Sequence, residues 1–294
     1  MATPLYERIG GGYARARRAD PRIERRIHAA LGDAASVVNV GAGTGSYEPT
    51  DRYVLAVEPS ARMRAQRPRG ASPCVAAAAE HLPLDDASVD VAMAVYTDFH
   101  WHDRRKGIAE MLRVSRDGVI IVTVDRDAAQ EYWLTRDYLP AAGGLFAPLS
   151  AVTSLLPGPP PAVTSIPIPG DCQDGFAHAY WKRPAGLLDP GINGAMAMFA
   201  NLPPVAVRAG LARLRADIAS GDWQRRNREL AELDALDLGH RLVVWRAHTR
   251  RDRTGQPAAG QALAAEPRGA PSIFGERLDH MEVVAGSESV RPRW

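Results

Sequence analysis

Through the first half of the chain, apolar residues gather in short runs separated by small or polar residues. Val37-Val38-Asn39-Val40, Val54-Leu55-Ala56-Val57, Asp90-Val91-Ala92-Met93-Ala94-Val95 and Val119-Ile120-Ile121-Val122-Thr123-Val124 are nearly continuous and largely β-branched. Strands buried on both faces read this way. A shorter strand is expected over Cys74 to Ala77. Between the runs the spacing becomes helical. Asp20-Pro21 supplies a cap and a first-turn proline, Ile23, Ile27 and Leu31 then share one face, and Gly32 marks the stop. Helical spacing resumes from Ser60 to Gln66 and again from Arg104 to Arg116, where Ile108, Met111 and Leu112 are the apolar positions. Strands alternating with helices predict an α/β fold with a doubly wound, mostly parallel sheet.

Beyond Asp125 the rhythm changes. A helix is expected from Ala128 to Leu139, then a Gly/Pro-rich connection through Pro157, Gly158, Pro159, Pro160 and Pro161. Val163 to Ile168 reads as a sixth strand, which Pro167 pushes to a sheet edge. Two helices follow, one with Val207, Leu211, Leu214 and Ile218 ending at Gly221, the next with Leu230, Leu233 and Leu236. Arg241-Leu242-Val243-Val244-Trp245 returns as a seventh, antiparallel strand. The expected organisation is a lid and first helix over 1–35, a core over 36–125, a helical cap over 126–239 that includes strand six, a final strand over 240–248, and a disordered tail over 249–294.

The candidate chemistry begins where the first strand ends. Gly41, Gly43 and Gly45 alternate in Gly41-Ala42-Gly43-Thr44-Gly45-Ser46, a turn that lets a ligand lie against the backbone. Glu58, thirteen residues after Gly45, ends the second strand, where a carboxylate can accept both hydroxyls of a ribose. A dinucleotide fingerprint requires G-x-G-x-x-G, and Ser46 stands where its third glycine belongs. The loop, then Val57-Glu58-Pro59-Ser60-Ala61-Arg62-Met63, then Ala79-Glu80-His81-Leu82-Pro83-Leu84, resembles the class I S-adenosylmethionine-dependent methyltransferases, small-molecule branch. Asp171-Cys172-Gln173-Asp174-Gly175-Phe176 and Tyr180-Trp181-Lys182-Arg183-Pro184 are similar to an actinobacterial subgroup of these enzymes.

The resemblance implies a Rossmann-like seven-stranded fold, S-adenosylmethionine as cofactor and a small-molecule methyl acceptor, in secondary metabolism. It places Asn39, Gly41, Ala42, Gly43 and Gly45 at the loop, Glu58 on the ribose, Pro59, Met63, Ala79 and Glu80 around the adenine, and Val95 and Tyr96 at the end of strand four. Tyr13 and Arg18, in the Tyr-rich N-terminal segment, are placed over the sulfonium end or on the methionine carboxylate; the alternative is a solvated arm with Tyr13 on the core. Two departures stand out. Ala78 occupies the position of an adenine-binding Asp, and Phe99 replaces the first residue of a His-His-Trp turn.

Strand four delivers Tyr96 to Asp103 to the carboxyl edge of the sheet, where open α/β sheets bind ligands. His100 is the candidate base there, with Asp98 orienting it or acting instead; a structural hydrogen bond is the plainer role for His100. His102 and Asp103 suit solvent or a helix cap. Trp101, Tyr132, Trp133, Phe176, Tyr180 and Trp181 suit either a substrate pocket or the core, and so does His178; Asp171 and Asp174 suit a cationic amine or a cap. Beside a methyltransferase, the alternatives are an S-adenosylmethionine-binding regulator without catalysis and, disfavoured by Ser46, a nicotinamide oxidoreductase. Adenine-amino methyltransferases have prolines that the Asp98-Phe99-His100-Trp101 turn lacks.

Composition narrows the partners. A net charge of +2 argues against nucleic acid, and lysine occurs only at Lys106 and Lys182, which reflects GC-rich coding more than function. Cys74 and Cys172 offer neither metal-ligand spacing nor a disulfide framework. No apolar run reaches membrane-spanning length and no secretory signal opens the chain, so a cytoplasmic protein is expected. Oligomeric state is not encoded in any pattern seen.

Overall fold

The computed structural model describes residues 17–194 and 196–247. Its strands are β1 (Ser36–Val40), β2 (Tyr53–Val57), β3 (Cys74–Val75), β4 (Val89–Val95), β5 (Ser115–Val124), β6 (Ala162–Ser165), β7 (Ile168–Pro169), β8 (Ala235–Leu236) and β9 (His240–Arg246). Seven of them form one sheet in the order β3-β2-β1-β4-β5-β9-β6. β1 to β5 run parallel, with Val38 opposite both Leu55 and Ala92. β9 is antiparallel to β5 on one side and to β6 on the other. This is the expected seven-stranded, mostly parallel, doubly wound sheet.

The continuous apolar runs follow from having two covered faces. Along β5, Ile120 and Val122 pack with Ile23, Ile27 and Leu31 of helix α1 (Pro21–Leu31), while Val119 and Ile121 pack with Ile108 and Met111 on the opposite face. Helix α2 (Ala61–Arg64) follows β2, and helix α3 (Arg104–Val114) follows β4. Asp103 caps α3 by accepting from the Lys106 amide at 3.1 Å, the capping role expected of it. Cys74 is a buried small hydrophobe, and burial pushes its thiol up to about 11.

The cap is where local patterns misled. The expected helix from Ala128 to Leu139 breaks into Arg126–Ala129 and a wide turn over Leu134–Tyr138. Buried aromatics dictate that break. The Tyr132 hydroxyl donates to the Ala177 carbonyl at 3.1 Å, and Trp133 Nε1 donates to the Trp181 carbonyl at 2.9 Å. The sixth strand stops at Ser165 because Pro167 cannot join the ladder, and Ile168–Pro169 pairs instead with Ala235–Leu236 in a separate two-stranded ribbon. Helix α4 (Pro204–Ser220) forms as its periodicity requires and ends at Gly221. The helix expected around Leu230, Leu233 and Leu236 does not form. Arg228–Glu232 is a 3₁₀ turn and Leu236 lies in β8. Of those leucines only Leu230 lies in the turn, and Leu233 is already extended.

Asp20 joins the cap to α1. Its buried carboxylate accepts from the Arg22 amide at 3.0 Å, the Arg22 guanidinium at 2.7 Å and the Gln173 amide at 3.1 Å. Burial pushes its pKa up, but those three donors outweigh burial and leave it at about 2. Its contribution is therefore present above the ordinary carboxylate range and is lost only as pH falls towards 2. Asp20→Ala is expected to lower unfolding free energy by about 2 kcal/mol in denaturant titrations at pH 7. Asp20→Asn, which keeps an acceptor, is expected to lose less than half of that.

Candidate active site and cofactor cleft

The glycine loop is a backbone device. After β1 the amides of Gly41 and Ala42 donate to the Val57 carbonyl at 2.8 and 3.0 Å, which folds the loop over the end of β2. Gly41, Gly43 and Gly45 all adopt positive φ, at 69°, 56° and 94°. At Gly41 a Cβ would lie 2.1 Å from Thr97 Oγ1, so the side chain is excluded by space as well as by conformation.

Glu58 turns inwards at the end of β2. It is 6% exposed and accepts from the Gly43 amide at Oε2 and the Ser60 amide at Oε1, each at 2.8 Å. Burial raises its pKa, and the Ser60 and Gly43 amides pull the other way. A carboxylate has about four acceptor positions, so each oxygen retains one for a ligand hydroxyl. Ser60 also fixes Met63 by accepting from its amide at 3.2 Å. A cleft of about 590 Å³ opens here, lined by Gly41, Ala42, Gly43, Glu58, Pro59, Met63, Ala79, Glu80, Val95, Tyr96 and His100 among others. Glu80 has one oxygen engaged already, accepting from the Asp103 amide at 2.9 Å.

A second, smaller cavity of about 100 Å³ adjoins the cleft. Arg17, Tyr96, Phe99, His100, Leu145 and Asn201 line both. Phe146, Phe176, His178 and His240 complete an aromatic chamber. Tyr96 sits at the junction with φ of 54°, an uncommon value for a large side chain. Its ring lies 5.7 Å from Phe176 and 5.2 Å from His240. Burial, with Arg17 nearby, holds the His100 imidazole down at about 4, so it is neutral at ordinary pH.

Several expected site residues lie elsewhere. Asp98 is not in the cleft. It is 1% exposed, is paired with Arg104 at the start of α3 at 3.0 Å, and lines neither cavity. Arg18 is exposed and lines neither cavity; Arg17, one residue earlier, does. Asn39 faces away from the cleft and donates to Glu48 at 3.0 Å, and Gly45 backs onto Arg67 and Glu48. Both shape the loop from behind. Tyr13 lies outside the described residues.

Asp171 is exposed against Arg22, and Asp174 is buried against Arg17, so neither carboxylate is open to a cationic amine. Of the candidate aromatics, Trp101 lines the cleft and Phe176 the chamber, whereas Tyr132, Trp133 and Trp181 are core. Arg17, Phe146, Asn201 and His240 were not anticipated. For His240 a signal existed: β9 runs antiparallel, so its first residue lies at the same edge as the last residues of the parallel strands.

Residues 38–123 match the methyltransferase domain family. A protein from Anabaena variabilis, assigned as a methyltransferase of an antibiotic biosynthesis pathway, is 31% identical, with 78% of this chain and 98% of that chain covered and a TM-score of 0.73. The chain belongs to the S-adenosylmethionine-dependent methyltransferases. An S-adenosylmethionine-dependent methyltransferase from Thermotoga maritima is 25% identical over 51% of this chain and 77% of its own, with a TM-score of 0.42. No curated protein matches significantly.

The cleft of this methyltransferase fits its cofactor. Gly41 and Gly43, both at positive φ and both lining the cleft, present bare backbone to it, and Glu58 keeps acceptor positions beside them. Among the described residues no group of three His, Cys, Asp or Glu is placed to hold a metal ion. Gly41→Ala combines backbone strain of roughly 1–3 kcal/mol with the Thr97 clash. The expected result is a lower melting temperature and at least tenfold weaker S-adenosylhomocysteine binding in calorimetry. Wild-type affinity in that variant would contradict this fit.

Proposed function

We propose that this methyltransferase transfers the methyl group to an N, O or C atom of a small, largely apolar acceptor seated in the aromatic chamber. The observation that carries the reading is the shared wall. Tyr96, Phe99 and His100 belong to the cofactor cleft and to the chamber at once, so an acceptor in the chamber abuts whatever the cleft holds. Residues 126–239 then act as the acceptor cap. A role in secondary metabolism draws support from the Anabaena neighbour. Among the described residues no helix is long and apolar enough to cross a membrane, which suits a cytoplasmic enzyme with a small-molecule partner.

When bound, S-adenosylmethionine supplies an electrophilic methyl group on a cationic sulfur. The chain's task is to hold the nucleophile close, keep water out and accept a proton where the nucleophile loses one. Glu58 binds the ribose hydroxyls, while Pro59 and Met63 pack near the adenine, with Ala79 and Glu80 alongside. Phe99 and Phe146, with ring centres 5.5 Å apart, exclude water from the far side. His100, held neutral by burial, is the proton acceptor on the shared wall.

Glu58→Ala should weaken S-adenosylmethionine binding by about 1–3 kcal/mol through lost charge-assisted hydrogen bonds. Unchanged affinity in calorimetric titration would refute the ribose assignment. His100→Ala is expected to reduce turnover by about 10²–10⁴ with cofactor affinity nearly intact. Because a base works only when unprotonated, a His100 pKa of about 4 keeps kcat/KM level from pH 8 down to about 5.5. An acid limb centred near 6.5 would mean that His100 titrates as an ordinary solvated imidazole.

A further inference from the structure

At the inner end of the chamber, three side chains form a line of hydrogen bonds. The Tyr96 hydroxyl lies 2.8 Å from His240 Nδ1, and His240 Nε2 lies 2.9 Å from His178 Nδ1. His178 Nε2 ends the line. It is buried without a hydrogen-bond partner among the described residues, on a side chain 3% exposed that lines the chamber. Such an orphan is costly unless something else satisfies it.

The line has a direction. Each bond needs one proton, so the state of one member sets the next. If His240 donated from Nδ1 to the tyrosine oxygen, two groups would go unsatisfied among the described residues, the hydroxyl proton and the His178 Nε2 lone pair, whereas the opposite order leaves only one. The Tyr96 hydroxyl therefore donates to His240 Nδ1, His240 Nε2–H donates to His178 Nδ1, and His178 is left carrying its proton on Nε2. Burial favours the neutral form of both imidazoles, so neither ring carries a second proton that would blur this order. The free group, on a side chain that lines the chamber, is an N–H donor that is closed off from water in this structure, so a ligand oxygen reaches it by a small shift of the neighbouring rings.

We infer that His178 Nε2–H is the recognition point for a hydrogen-bond-accepting oxygen, and that the acceptor substrate is a flat, neutral ring bearing a carbonyl, set with its carbonyl inwards and its nucleophilic atom towards His100. This rests on the reading of the chamber as the acceptor seat. Shape and charge agree with it. The chamber walls are the rings of Phe99, Phe146 and Phe176, and its volume of about 100 Å³ suits part of one ring. Among the described residues the strongly basic wall residue is Arg17, paired with Asp174 and lying over the Phe176 ring at 5.6 Å, and none of the described wall residues is a carboxylate, so a cationic acceptor finds no open counter-charge there. Tyr96 and His240 are positioning residues, since they act through the tautomer of His178.

Acetophenone and α-methylstyrene, which share a shape and differ at the carbonyl oxygen, test the assignment. Each would be titrated into the full chain, alone and saturated with S-adenosylhomocysteine. The ratio of the two dissociation constants should move against the ketone by about tenfold in His178→Phe, the size of one net hydrogen bond. His178→Gln, whose amide can donate, should restore most of the ratio. Long-range ¹H–¹⁵N spectra of the wild type should show both His178 and His240 as Nε2–H tautomers, and Tyr96→Phe should lose that pure state at His240. A ratio unchanged in His178→Phe, a failure of both rings to bind, or an Nδ1–H tautomer at His178 would overturn the inference. Binding of S-adenosylhomocysteine is read separately. Its loss with the ring ratio intact would sink the cofactor reading and leave the His178 assignment standing.

Discussion

Three distant pieces of the chain are joined at one buried carboxylate. Asp174 is 1% exposed and receives the Tyr47 hydroxyl at 2.7 Å, the Arg17 guanidinium at 3.1 Å and the Gly175 amide at 2.7 Å. Tyr47 belongs to the glycine loop, Arg17 to the segment before α1, and Asp174 itself to the cap. A charge taken out of water survives only if its acceptor positions are filled, and removing a partner from such a site typically costs about 3–5 kcal/mol. That penalty fixes the relative placement of cofactor loop, N-terminal segment and cap. Phe176, two residues on, is thereby held against Tyr96 as a chamber wall.

The sheet was legible because its physics is local and strong. Residues such as Val37-Val38 or Ile120-Ile121 have no exposed face, so their runs announce a strand covered on both sides. The glycine loop and Glu58 were legible for a related reason, since positive φ at Gly41 and an inward carboxylate at a strand end tolerate few residue types. The cap was not. Its turns are set by where Tyr132, Trp133 and Trp181 find partners for their polar atoms, and those partners lie about 45 residues or more away for the first two. Leucines three residues apart looked helical because a short window does not show that the chain is already extended at Leu233.

The chemistry shows the same division. His100 could be placed on the ligand edge from strand four alone, whereas Asp98 shares its turn and yet points into an ion pair with Arg104. Two residues apart on a tight 3₁₀ turn is enough to face opposite environments. Arg17 and Arg18 differ likewise by one position, and only the buried Asp174 decides which of them turns inwards. Assigning a role to a side chain on a turn requires knowing what waits on each side, and that information lies in other segments.

The pairing of β6 with β9 has a consequence for how such an enzyme diversifies. Residues 166–239 leave the sheet at Ser165 and return at His240, and Ser165 stands opposite Arg241, the residue next to that return. The insertion thus begins and ends almost at the same place on an edge hairpin. Because closing a loop costs little more as it lengthens, the anchoring strands constrain the length of this segment only weakly, provided that Asp174 within it keeps its tie to Tyr47. The glycine loop and Glu58 lie on β1 and β2, across the sheet from that hairpin. Phe176 and His178, the chamber walls that this segment supplies, can therefore vary in evolution with little effect on the strand ends that carry the glycine loop and Glu58.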